Sequence, residues 1–112
     1  MDGIVNKIAG LGVPGIMLVV AISMTGLSGA AAITAALALL GPGGMIGGIA
    51  TLLFAGAVAS ALTEFGFDAL FKAVIAKLYK KGETKETIRR KIEKGPWSKK
   101  LKAKAISDLN KL

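Results

Sequence analysis

The chain has 112 residues with no cysteine and no histidine, which limits it to one domain and excludes disulfides, thiol chemistry and the commonest acid–base and metal-ligating side chain. Hydrophobic residues make up 53% of it, and the mean hydropathy of +0.60 is high for a water-soluble domain. The net charge is +8 and polarised: residues 1–63 carry only Asp2 and Lys7, while residues 64–112 carry fourteen Lys/Arg and six Asp/Glu, a bias that points to anionic lipid, nucleic acid or a topology signal.

Residues 2–12 form a short amphipathic segment in which Ile4, Val5, Ile8 and Leu11 recur at helical spacing. Lys7 followed by apolar sequence and Ala30-Ala31-Ala32 imitates a secretory signal. The neutral start and the apolar run beyond that point argue against the reading. Between Lys7 and Glu64 lie 56 residues without a charge, enough for two membrane spans of about 20 residues each and a turn. Pro14 suits a first helical turn. Residues 16–40 are expected to form the first span, with Gly26 and Gly29 able to bend it. Gly41-Pro42-Gly43-Gly44 is the expected hairpin turn, and residues 45–63 the second span.

Residues 64–81 change character. Phe67, Leu70, Phe71, Val74, Ile75 and Leu78 form one stripe with Asp68, Lys72 and Lys77 off it, which predicts an amphipathic helix at a membrane interface or against a partner helix. Gly82 ends it. Thr84 is placed to cap a helix that stops at Gly95-Pro96, and Ser98 to cap a last helix. Ile88, Ile92, Trp97, Leu101, Ala105, Ile106 and Leu109 give this pair a thin apolar face, so the two are expected to pack on each other. The expected fold is all-α: a transmembrane helical hairpin with an amphipathic juxtamembrane helix over residues 1–81, and a small basic cytoplasmic helical tail over residues 82–112.

Small residues recur four apart in both apolar segments. Gly26, Ala30, Thr34 and Ala38 share one face; Gly47, Thr51, Ala55 and Ala59 share another; Gly44, Gly48, Gly56 and Ser60 share a third, interrupted by Leu52. Small residues on one face let helix backbones approach closely, which drives association in lipid. They predict tight packing within the chain or between copies, as in a homo-oligomer. Glycine- and alanine-rich sequence also generates such spacings by chance.

The basic residues following the second apolar segment place both termini in the cytoplasm if both segments span. Lys72, Lys77, Lys80, Lys81, Arg89, Arg90 and Lys91 are the expected contacts to anionic headgroups, each worth on the order of 1 kcal/mol. Trp97 has two readings: a headgroup-layer anchor, or the one large core residue of the tail. Nucleic acid is disfavoured, because Trp97 is the only aromatic residue after Tyr79. Glu64 and Asp68 read as a solvated or paired face, with Lys72 at i+4 from Asp68. No phosphate loop, metal-ligand spacing or nucleophile–base pair is present. The chain is therefore expected to be non-enzymatic, with no cofactor, metal or small-molecule substrate.

Gly43-Gly44, Leu62-Thr63 with Phe65, and Ala73-Val74-Ile75-Ala76 with Tyr79 resemble the interferon-alpha-inducible small membrane protein family. The likeness covers roughly residues 13–81. Ser23-Met24-Thr25 matches the first-helix pattern loosely, and residues 82–112 are not typical of the family. The resemblance implies a hydrophobic protein of intracellular membranes linked to innate immunity and cell death. The expected function is an integral membrane protein that self-associates and alters membrane integrity. The alternatives are a phage holin, a secreted cationic bacteriocin-like (antimicrobial) helical protein, and a membrane adaptor or assembly subunit.

Overall fold

The computed structural model describes residues 1–26, 31, 35–36 and 49–112. These residues form six helices: α1 (Asp2–Gly10), α2 (Val13–Met24), α3 (Ile49–Phe65), α4 (Phe67–Lys80), α5 (Lys85–Lys94) and α6 (Lys99–Asn110). The fold is all-α among the described residues. The expected turn at Gly41-Pro42-Gly43-Gly44 and the packing positions Ala30, Thr34, Ala38, Gly44, Gly47 and Gly48 lie outside them.

α2 starts at Val13 with Pro14 in its first turn, where a missing amide proton removes no helical hydrogen bond. It stops well before the end of the apolar run. Thr25 Oγ1 donates to the Ile22 carbonyl and Ser23 Oγ to the Val20 carbonyl, both at 2.8 Å, and Gly26 follows at φ +64°. A positive φ does not continue a right-handed helix. A single helix through residues 16–40 is thus not formed, and Gly26 lies in an exposed turn rather than on a helix-packing face.

Ile16 through Ile22 are all buried, none more than 4% exposed. Seven consecutive buried residues cover every face of a helix, so α2 is enclosed rather than one-sided. Each of the other described helices touches it. Full burial of a large aliphatic side chain is worth about 1.5–3 kcal/mol, so α2 contributes roughly 10 kcal/mol of gross apolar burial.

Of the surrounding helices, α1, α4, α5 and α6 are amphipathic and turn one apolar face inward, whereas α3 is apolar along almost its whole length. Val5, Ile8 and Ala9 of α1, and Leu70, Phe71, Val74, Ile75 and Leu78 of α4, turn inward. Gly66, at φ +84°, falls inside the expected amphipathic stretch 64–81, so that Glu64 and Phe65 end α3 and α4 begins only at Phe67. The caps fall where the sequence put them. Thr84 accepts from the Thr87 amide while the Thr87 hydroxyl accepts from the Thr84 amide, and Ser98 accepts from the Leu101 amide.

α5 and α6 pack on each other and also on α2. Their apolar faces are thin because each covers only part of a shared core. The tail is therefore part of the same bundle. Among the described residues no single helix is long and apolar enough to cross a membrane.

Trp97 is 7% exposed, and its ring lies directly over Gly95, where a Cβ would stand 1.9 Å from the ring. The glycine is what lets the indole fold back into the core. The indole Nε1 is buried without a hydrogen-bond partner. Trp97→Ala is expected to cost about 3–5 kcal/mol. Trp97→Phe should cost much less, because it also removes an N–H that is unpaired in the fold. Urea unfolding of the two variants measures the difference.

Candidate functional site

Two features lie back to back: the uncharged core helix α2, and the cationic outer surface of α4, α5 and α6. The acidic residues of the second half are mostly consumed locally. Glu86 pairs with Arg89 at 2.8 Å and Arg90 at 3.8 Å, Glu93 lies 4.0 Å from Arg89, and Glu83 pairs with Lys91. Pairs this exposed add little to stability. They do decide which cations stay uncompensated.

Asp108 is 6% exposed and receives both of its bonds from Lys104, at 2.6 and 2.7 Å. The same ammonium sits 5.4 Å above the Phe67 ring, which stacks on Phe71 at 5.1 Å. A carboxylate this deeply placed needs a cation and hydrogen bonds to be tolerated, and the pair ties the end of α6 to the start of α4. The i, i+4 spacing of Lys104 and Asp108 is the sequence signal for this pair.

Lys72, Lys77 and Lys80 on α4, and Lys94, Lys99 and Lys100 around the α5–α6 connection, have no acidic partner among the described residues. Lys99 and Lys100 occupy the first turn of α6, where the helix dipole is positive and favours anions over cations. The positive potential is concentrated there rather than relieved.

Of the expected headgroup contacts, Lys72, Lys80, Lys81, Arg90 and Lys91 are exposed, and Lys77 and Arg89 are half-buried. Trp97 is not in this group, because it belongs to the core. Of the expected packing residues, Ala55 is fully buried, Ala59 packs against the core, and Ser60 is exposed. Thr51 lies in α3. Gly56 is half-buried, and a Cβ built on it meets no described atom within 4 Å. Its small size therefore serves no described neighbour, and the described residues use the small face of α3 only in part.

No family model, curated protein or solved structure matches this chain.

Glu83 sits between the α4 and α5 ends. The hydrogen bond from Lys91, then that from Thr87, holds its carboxyl below the ordinary carboxylate value of 4.5, against a smaller opposing effect of burial. A depressed folded-state value means that Glu83 stabilises the fold above pH 4.5, and that this contribution is lost as pH falls through the lowered value. Wild type should therefore lose more stability than Glu83→Gln below pH 4.5, measured as the shift in urea midpoint between pH 5 and pH 3. Separately, Gly56→Ala is expected to raise stability by up to about 1 kcal/mol, because alanine is the better helix former, again read from urea unfolding.

Proposed function

We propose that this chain is a non-enzymatic, membrane-active protein. A cationic helical bundle docks on an anionic membrane through its uncompensated lysines, releases its enclosed apolar helices into lipid, and so alters membrane integrity. The observation that carries this reading is the placement of a charge-free helix, α2, inside a shell whose outer surface holds unpaired Lys72, Lys77, Lys80, Lys94, Lys99 and Lys100.

The magnitudes are compatible. Domains of this kind are stable by about 5–15 kcal/mol. Six lysines at an anionic surface supply roughly 6 kcal/mol of attraction. Apolar surface that moves from a protein core into acyl chains stays out of water, so the hydrophobic gain is not forfeited.

Enclosure of α2 favours the bacteriocin-like form of this activity, with insertion at a target membrane, over a holin that resides in lipid from the start. After insertion, a two-span helical hairpin keeps both ends on one side. The remaining small residues of α3, with Gly56 among them, then offer a face for self-association. The biological setting that follows is defence or programmed cell death.

Vesicles test the proposal. Purified protein is expected to release dye from phosphatidylglycerol-containing vesicles and not from pure phosphatidylcholine vesicles, with binding weakened by salt. Replacing Lys99 and Lys100 together by Gln should weaken vesicle binding by about 2 kcal/mol, roughly 30-fold. Full vesicle binding without leakage, or equal binding to both compositions, would refute the reading.

A further inference from the structure

The joint between α1 and α2 differs from the other joints of the bundle. Neither helix alone reaches across a bilayer, yet residues 2–24 together have the length and composition of a span and are prevented from being one by a 117° bend. Laid end to end at 1.5 Å per residue they extend about 34 Å, against a hydrocarbon thickness of about 30 Å. α2 alone extends only about 18 Å.

The bend depends on two glycines. Gly12 stands at φ 71°, ψ −144°, a conformation that side-chain-bearing residues rarely adopt. Gly15 lets the start of α2 rest on the backbone of α1, since a Cβ there would lie 2.3 Å from the Ile8 carbonyl oxygen. Only short-range backbone bonds cross the corner: Leu11 N–H to Ile8, Gly12 N–H to Ala9 and Gly15 N–H to Gly12. From outside, the Lys81 ammonium donates to the Ala9 carbonyl at 3.4 Å. Lys81 is exposed and adjoins Lys80, so a phosphate-bearing surface that attracts Lys80 also competes for this tie.

We propose that residues 2–24 are the first segment to enter the bilayer, with α1 swinging about Gly12 to extend α2 into one span. The inference rests on the membrane activity proposed above and revises its geometry, because the first span shifts from residues 16–40 to residues 2–24. Asp2 then lies at the end of the span and Lys7 about 7.5 Å further in, from where a lysine side chain extends back to carry its ammonium toward the headgroups. Pro14 leaves a residual kink of the kind that spanning helices tolerate.

The absence of native cysteine makes depth measurement direct. Leu11→Cys and Met24→Cys, each in the full chain, are labelled with an environment-sensitive fluorophore. They are then mixed with phosphatidylglycerol vesicles carrying nitroxide quenchers at the headgroup or at mid-chain. The expected result is a deep Leu11 label and a shallow Met24 label. A deep Met24 with a shallow Leu11 overturns the inference in favour of a span within residues 16–40, and leaves membrane activity standing. Both labels remaining in water on vesicles that carry the protein overturns it as well. Protein that never leaves the supernatant overturns the proposed function and this inference together.

Gly12→Ala adds a rate criterion, since alanine is strained in the bend and favoured in a continuous helix. The Leu11 label should enter roughly fivefold faster or more, and an unchanged or slower rate counts against the swing. Should that variant fail to fold, the depth comparison in the Gly12 chain decides alone.

Discussion

Everything in this bundle follows from having to hide α2 from water. A helix with one apolar face needs one neighbour. A helix that is apolar on every face needs a sleeve. Val13 to Ile22 offers no polar or charged side chain on any side, so α1, α3, α4, α5 and α6 must each present an apolar stripe to it. That requirement explains why α5 and α6 are individually narrow in their apolar content. Ile88 and Ile92 on α5, with Leu101, Ala105 and Leu109 on α6, would make a poor core for a pair standing alone. As part of a wall around α2 they suffice.

The same constraint sorts the charge. The core has no room for ions except where one is fully paired, and Asp108 with Lys104 is that exception. All other ionised groups are driven to the outside of the sleeve. Because lysines outnumber carboxylates there, and because Glu83, Glu86 and Glu93 engage cations within or beside α5, the surplus collects on α4 and at the α5–α6 connection. The positive surface is thus a by-product of enclosure as well as a feature of composition.

The sequence was most legible where its signals were local. Thr84 and Ser98 cap the helices they were expected to cap, since a cap is decided within four residues. The stripe from Leu70 to Leu78 turned inward as its spacing required. The long apolar run was less legible. Hydropathy reports that residues 13–24 avoid water, and a lipid bilayer and a protein sleeve both meet that condition. In this structure α2 ends at Met24, with Gly26 at positive φ, and the neighbouring helices enclose it. Gly66 is hard to read as a break because a single glycine inside helical periodicity is weak punctuation. Trp97 had two readings from sequence. The close fit of its ring on Gly95, a three-dimensional fact, places it in the core. How far the small-residue faces are used could not follow from spacing either, because spacing fixes which residues share a face and not what that face meets.

The order of α2 and α6 along the chain has a consequence for synthesis. α2 is made among the first helices, and α6, which covers part of it, is the last described helix to be made. A ribosome adding about 5–20 residues per second takes several seconds to travel from one to the other. Through that interval the most apolar helix of the chain lacks part of its cover. The nascent protein must therefore be held by a chaperone or a membrane, or by its own partial collapse, until the basic C-terminal helices arrive to close over it.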